Sequence, residues 1–460
     1  MRYTFLYAVL LFCNVLKAQT ELDLYILDVM ETRHISGVSA CIIKEGKLAW
    51  TGNYGLANRP AMQEVDENTM FMLASISKTI TATALMQLYD AGYFNLDDDI
   101  NAYLPFPVHN PLYPDAPITF EQLLTHTSSI QDNWDVMIPL YVDGDSPVGL
   151  GYFMEQYLTD TGIYFDADNN YYTFTPGTHL HYSNIGASLC GYLVEIISGS
   201  PFNTYCNTHI FEPMCMDNTG WFLSELDEEH VAHPYSYYTG NYHDNGLYGY
   251  PDYPDGQLRT TCISLAKFLW MNMNGGLFDG QQILQPATVE LMQSSIFPAI
   301  DPTQGLIWYY YSNATGTWWG HNGGDDGVNT DMFYNPDTQT GIIVLTNGDG
   351  SHTNIWNALI DHAATLDVSD LPEIACVTEI PAAVNNTALE HISISPNPVH
   401  NILHMQGIDA GTGMFIYDAT GTICMYEIFS GQALDVSALP AGTYFMKPAS
   451  AASGLAFIKW

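Results

Sequence analysis

Ser75 and Lys78 stand three residues apart in the stretch FMLASISKT, residues 71–79, and a hydroxyl beside an amine at that spacing is a unit for acyl transfer. A serine hydroxyl is a poor nucleophile until a neighbour takes its proton. A lysine takes it only where burial or nearby positive potential destabilises the ammonium form. Ile76, Ile80, Ala84, Leu85 and Leu88 recur at helical spacing after Ser75, and Gly92 closes the run. The pattern predicts Ser75 at or near a helix N-terminus, with Lys78 one turn later on the same face. A helix start also offers backbone N–H groups and a positive dipole end to a developing oxyanion. The same S-x-x-K spacing recurs at Ser264 and Lys267. An isolated match is ordinarily a helix cap with a solvated lysine, so the chemistry needs partners elsewhere in the chain.

Two later stretches supply candidates. In TPGTHLHYSNIGASL, Tyr182-Ser183-Asn184 sets a phenol and an amide two apart, on one side of an extended or loop segment. The phenol can share the nucleophile's proton and pass it to a leaving group. The amide can hold the lysine and a substrate carbonyl. Tyr311-Ser312-Asn313 repeats these residue types, but Pro176-Gly177 and a following helical run place the first set at a turn. In WWGHNGGDDG, His321-Asn322-Gly323 ends a strand, and Gly323 and Gly324 let a substrate lie close to backbone N–H groups. The Gly324 N–H can complete an oxyanion hole with that of Ser75. Other chemistries find no support. There is no G-x-S-x-G. His230 and His233 are not in H-E-x-x-H spacing, and Asp166, Asp168 and Asn170 open like a calcium loop but meet Tyr171 where glycine is needed. His179 and His181 flank Tyr182 and lack a third ligand. No metal and no cofactor is expected.

The elements that must carry these residues fall into blocks. Residues 19–368 mix strands and helices. VSACIIKEGKLAWTG (38–52) reads as a hairpin turning at 44–47. ITFEQLLTHTS (118–128) opens a helix, with Thr119 and Gln122 in capping-box spacing. PFNTYCNTHIF and SLAKFLWMNMNGG are helical, the second closed by Gly275. TWWGHNGG, GVNTDMFYNP and GIIVLTNGDG are three strands, and NIWNALIDHAATL is a helix. The expected class is therefore α/β: an antiparallel sheet closed by the two ends of the block and flanked by helices, with a mostly helical subdomain between. Residues 233–256, rich in Tyr, Gly, Pro and Asp, read as a long ordered loop whose tyrosines either line a cleft or pack the loop onto the body. Residues 369–388 read as a linker and 389–460 as a small all-β sandwich.

Bulk properties narrow the partners. The 460 residues hold 11 Lys and Arg against 50 Asp and Glu, a formal charge of -39. That surface repels phosphate, so nucleic acid and anionic membranes are poor partners, and no nucleic acid is expected. Residues 1–18 read as a signal peptide: Arg2, the apolar stretch Phe5 to Leu16, and a cleavage position after Ala18. No later run of about 20 apolar residues exists, so no membrane span is expected in the mature chain. Export makes disulfides possible. Cys206 and Cys215 are close enough in sequence to pair, and buried free thiols are the alternative for any one cysteine.

The order S-x-x-K, Y-S-N, H-x-G resembles the serine β-lactamase and penicillin-binding superfamily, in its class C, D-aminopeptidase and family VIII esterase branch. LLTHTS (123–128), TPGTHLHYSNIG (175–186), LRTTCISLAKFL (258–269) and GHNGGDDGV (320–328) are similar too, and the resemblance covers roughly residues 25 to 365. It implies a serine acyl-enzyme mechanism with Ser75 as nucleophile, Lys78 as its base partner and Tyr182 as the second acid/base. Asn184, His321, Gly323 and Gly324 fall on the substrate side, and the second S-x-x-K falls on a structural helix. His321 departs from the lysine that true β-lactamases carry there, which favours ester or D-amino-acid peptide hydrolysis over β-lactam hydrolysis. A non-catalytic surface protein on the same fold is the alternative. Ser129 replaces the usual glycine after LLTHTS, with only a loop adjustment expected. The C-terminal stretches SPNPVHNILHM, IYDATGTICM, DVSALPAGTYFMK and FIKW resemble the type A sorting domain of the type IX secretion system of the Bacteroidetes lineage. That implies passage through the periplasm to the cell surface or medium, with the secretion machinery as partner.

Overall fold

A computed structural model describes residues 20–377 and, of residues 393–460, all but 396–398, 407–410, 419–422, 432 and 449–454. The expected signal peptide and residues 378–388 of the expected linker lie outside the described residues. Among the described residues, contacts divide the chain into a larger unit, residues 26–58 and 63–377, and a smaller one that contains those of 393–460.

Helix α1 (Glu21–Arg33) precedes the strands that build the larger unit's sheet: β1 (Gly37–Lys44), β2 (Lys47–Asn58), β3 (Gln63–Glu64), β4 (Tyr309–Asn313), β5 (Gly316–Asp325), β6 (Val328–Asn335) and β7 (Thr340–Thr346). Their spatial order is β4-β5-β6-β7-β1-β2-β3, and every pairing is antiparallel. β1 and β7 meet from opposite ends of the block, in register from Val38 opposite Thr346 to Lys44 opposite Thr340. Their sequences, GVSACIIK and TGIIVLT, are apolar almost throughout and buried almost throughout. Strands of that composition need cover on both faces. Helices α5 (Cys262–Met273) and α6 (Thr353–Ala363) both pack against these two strands. The hairpin turn at Glu45-Gly46 takes two left-handed residues, φ 52° and 76°, as a tight two-residue connection demands.

The helical subdomain is built on α2 (Ser77–Asp90), α3 (Phe120–Leu124) and α4 (Asn184–Ser198). α2 and α4 pack together, and α3 lies on α4. Leu85, Phe120, Leu123, Phe153, Leu189 and Leu193 are among the fully buried residues of this core. The capping box at Thr119 and Gln122 forms as its spacing predicts. α2 ends at Asp90, with Gly92 in the left-handed region at φ 77°. Residues 233–256 are more ordered than a loop. They hold the hairpin Tyr235–Tyr238 with Asn241–Asp244, and Tyr235, Tyr248, Tyr250 and Tyr253 are buried. Of the two readings of these tyrosines, packing onto the body is the one the fold realises.

Two expectations need correction. Cys206 does not pair with Cys215; it is a buried free thiol on the inner face of a helix, and Cys215 is bonded instead to Cys376. Residues 369–377, read as linker, are fastened to the larger unit. Lys47 Nζ donates to the carbonyls of Val368 and Ser369, the Ile374 N–H donates to Gly46 O, and the disulfide follows. The second S-x-x-K serves this fastening. Lys267 Nζ donates to the carbonyls of both disulfide cysteines, at 2.6 and 3.1 Å, and Ser264 Oγ donates to Asp217 O.

In the smaller unit, two antiparallel sheets of three and four strands enclose Val399, Leu403, Met405, Met414, Ile416, Leu434, Val436 and Met446, all buried. This is the expected all-β module. No single described helix is long and apolar enough to cross a membrane.

The Cys215–Cys376 bond closes a loop of 161 residues in the unfolded chain. Replacing both cysteines by serine should lower unfolding stability by about 2–5 kcal/mol, read as a lower urea midpoint. An unchanged midpoint would show that the Lys47 and Ile374 hydrogen bonds hold the segment without the disulfide.

Candidate active site

The sequence Leu73-Ala74-Ser75-Ile76 forms a single 3-10 turn, Ala74–Ile76, that leads directly into α2. Ala74 has φ 48°, a conformation that costs a residue with a Cβ about 1–2 kcal/mol. Neighbours hold the turn in place. Leu73 N–H donates to Leu258 O at 2.8 Å, and Thr330 Oγ1 donates to Leu73 O at 2.7 Å. Gly323 on β5 passes so near that a Cβ there would stand 2.2 Å from Leu73 O and 3.0 Å from Ser75 N. The strand therefore seats the serine turn by backbone approach, which only glycine permits.

Lys78 projects back one turn, as predicted, and its Nζ lies 3.0 Å from Ser75 Oγ. It also donates to Asp255 O at 2.7 Å. Tyr182 lies close enough to Lys78 and Ser75 for both to act on its hydroxyl, and Lys78 Nζ sits 4.9 Å from the Tyr182 ring centroid. The three groups thus share one point in space although 107 positions separate Ser75 from Tyr182 in the numbering. Tyr182 keeps 40% of its surface exposed: its ring flanks the opening while its hydroxyl end sits among Ser75 and Lys78.

The electrostatics correct the expectation of an amine that has shed its charge. Burial of Lys78 works against its ammonium, but Tyr182, Asp255 and Asp132 outweigh burial, and the net shift is upward. Burial raises Tyr182 as well, against the pull of Lys78. The resting pair is an ammonium beside a neutral phenol. Burial also pushes the surrounding carboxyls up, Asp252 to about 7 and Asp325 to about 6.

Asn184 is placed differently from its expected role. It is the first residue of α4, and its Nδ2 donates to Asp132 Oδ2 at 2.9 Å. Asp132 also accepts from the N–H groups of Asn184 and Ile185 and from Ser183 Oγ. A carboxylate at a helix N-terminus is stabilised by those donors, and here it anchors the start of α4 directly after Tyr182. Burial still holds the Asp132 carboxyl above its ordinary range. Nothing in the spacing of Asp132 marks it for this duty.

Ser75, Tyr182, His321 and Gly324 line one cavity of about 250 Å³ with His126, Gln304, Tyr309 and Asn322. Gly323 and Asn184 do not line it. His321 Nδ1 lies 2.5 Å from Asn322 O, and a carbonyl only accepts, so the ring proton sits on Nδ1. Burial and the Lys78 charge push His321 down to about 3, so it is neutral at physiological pH. Tyr309 donates to Asn322 Oδ1 at 2.7 Å. Neither a lysine nor an arginine lines the cavity. His179 and His181 stack with Phe174 and Tyr172 away from it, and the decoy residues Tyr311, Ser312 and Asn313 lie on β4 outside it. Ser129 takes the left-handed backbone a glycine would, φ 63°, and its Oγ accepts from Asn110. No group of three or more His, Cys, Asp or Glu able to hold a metal occurs among the described residues.

Comparison with known proteins places the chain in a family. A family model described as Beta-lactamase matches residues 22–365. A β-lactamase of Yersinia enterocolitica is 26% identical over 299 residues, covering 65% of this chain and 70% of that protein. Among solved structures, a penicillin-binding protein from Bacillus halodurans superposes with a TM-score of 0.61 at 22% identity, over 75% of this chain and all of that one. A D-amino acid amidase from Ochrobactrum anthropi SV3 gives 0.59 at 20% identity, over 75% and 99%. The two structural likenesses speak for the fold.

Gly323→Ala should drive the strand off the serine turn and lower kcat/KM by about 100-fold, with the unfolding midpoint shifting much less than the activity. Alanine tolerated with full activity would mean that the close approach is not what seats Ser75.

Proposed function

The chain belongs to the beta-lactamase family, a branch of the serine hydrolases, and from that premise we propose that it is an exported hydrolase of esters or D-amino-acid amides and peptides. The observation that carries the reading is the meeting of Ser75 Oγ, Lys78 Nζ and the Tyr182 hydroxyl at the wall of one cavity. In this reading Ser75 Oγ attacks the substrate carbonyl carbon and its proton passes to the Lys78–Tyr182 pair. The carbonyl oxygen takes the negative charge and faces the N–H groups of Ser75 and Gly324. The pair returns the proton to the leaving oxygen or nitrogen as that bond breaks. Water then attacks the acyl-enzyme by the same route and frees Ser75.

The lining supports the choice of substrate. A β-lactam or a D-Ala-D-Ala peptide carries a carboxylate that calls for a cation at the far wall. Here His321 is neutral, and no lysine or arginine stands beside it on the cavity surface. Gln304, Tyr309 and Asn322 offer uncharged hydrogen-bonding groups instead, suited to a neutral ester or amide. β-lactam hydrolysis or penicillin binding is the weaker alternative. A non-catalytic binding role would leave the strained Ala74 and the buried Lys78 without a use. The S-P-N-P, T-G and L-P-A-G-T-Y stretches of the all-β module support its assignment as a sorting domain for type IX secretion, and residues 1–18 support export through the inner membrane.

Ser75→Ala should abolish both turnover of p-nitrophenyl esters and labelling by a serine-reactive phosphonate. Persisting label would move the nucleophile elsewhere. The pH dependence follows from the direction of two shifts. Lys78 and Tyr182 are both held above their ordinary values, so the pair must lose a proton before it can accept one from Ser75. The active fraction therefore grows as pH rises, and kcat/KM should climb from pH 7 to pH 9 without a plateau. A maximum near pH 6 would contradict the assignment of the pair as base.

A further inference from the structure

His126 follows α3 on a buried loop with a left-handed backbone, φ 56°. Three contacts run from it to the Tyr182 segment. Its carbonyl accepts the His181 N–H at 2.8 Å. Its ring Nδ1 lies 3.2 Å from the Ser183 N–H. Its ring lies 4.4 Å from the Tyr182 ring, centroid to centroid, at an interplanar angle of 34°. The two hydrogen bonds straddle Tyr182 along the chain, and the ring contact holds its side chain. An amide N–H only donates, so Nδ1 is an acceptor and the neutral ring carries its proton on Nε2. That Nε2 is buried and finds no hydrogen-bond partner among the described residues. A leucine would fill this space without stranding a donor, and an asparagine would supply the acceptor without the ring. Only an imidazole supplies a flat face and an acceptor together. Burial, Lys78 and His321 all push its pKa well down, so the acceptor persists at physiological pH.

We propose that His126 is the positioning residue that aims the Tyr182 hydroxyl at Ser75 and Lys78, holding the backbone on both sides of the tyrosine and the face of its ring. The inference rests on the reading of Tyr182 as the proton-transfer group. It gives that group its orientation through a residue that itself touches neither Ser75 nor Lys78 by hydrogen bond.

A double-mutant cycle in the full-length protein tests it, with His126→Ala, Tyr182→Phe and the pair, on two substrates of one acyl group. One is a p-nitrophenyl ester, whose leaving group needs no proton, and the other an alkyl amide, whose leaving group does. His126→Ala should lower kcat on the amide by about 100-fold, with KM changed by less than about threefold, and should affect the p-nitrophenyl ester much less. In the Tyr182→Phe background the same substitution should change kcat by less than about threefold. His126→Asn keeps an acceptor, tolerates the left-handed backbone and should recover at least about tenfold of the loss. Equal losses in both backgrounds, or on both substrates, overturn the proposal. If His126→Ala does not fold, the cycle is run with His126→Asn, for which the residual loss must again vanish in the Tyr182→Phe background. A Tyr182→Phe protein with full amide turnover overturns the proton-transfer reading and this inference with it, whereas coupling absent beside an inactive Tyr182→Phe protein sinks the inference alone.

Discussion

Burying the Lys78 ammonium without partners would cost on the order of several kcal/mol, and the groups that face it define the site. One hydrogen bond goes to Ser75 Oγ and one to the carbonyl of Asp255, while Tyr182 closes over it. Ser75 is local to Lys78, but Asp255 and Tyr182 arrive from distant parts of the chain, so the charge is satisfied only when the Tyr182 segment and the segment around residue 255 are assembled on α2. The same assembly keeps that segment against α2: Thr81 Oγ1 donates to Pro254 O, and Ser77 Oγ accepts from Leu258 N–H. Stability and chemistry thus draw on one set of contacts.

The ammonium also governs the histidines. His321 and His126 both feel its field as well as their burial, and both are pushed toward the neutral form. A site with one buried cation disfavours a second, which gives a physical reason for uncharged imidazoles where a further cation would repel Lys78. The carboxyls nearby respond in the opposite sense. Asp252 and Asp255 are raised by burial and by neighbouring carboxylates by more than Lys78 lowers them, and Asp325 is raised chiefly by burial. The strongly acidic composition therefore reaches inward as well as covering the surface.

Much of this was legible before any coordinates. S-x-x-K on a helical period placed Lys78 over Ser75 because a helix turn brings residues three apart to the same face. Thr119 with Gln122, and Gly92 after α2, marked helix ends by local chemistry alone. The apolar sequences of β1 and β7 announced buried strands. Asp132 and His126 gave no such signal, because their partners around Tyr182 lie about 50 or more positions away along the chain. The cysteines failed for the same reason. Cys206 and Cys215 are neighbours in sequence, but the helix carrying Cys206 turns it into the core, and the segment after α6 returns to bring Cys376 to Cys215.

Asn184 and Lys78 show where the boundary lies. Their types and spacing identified them as parts of a site, and that much follows from side-chain chemistry and helix geometry. The tertiary structure decided that the amide of Asn184 serves Asp132 and that Lys78 rests charged rather than neutral. The sequence by itself determined the Ser75–Lys78 pair and the strand-and-helix framework, because those depend on short-range periodicity. The protonation states, the uncharged cavity wall and the contacts between His126 and the Tyr182 segment were decided only on folding, because electrostatic fields and hydrogen bonds act through space between segments that the chain order keeps apart.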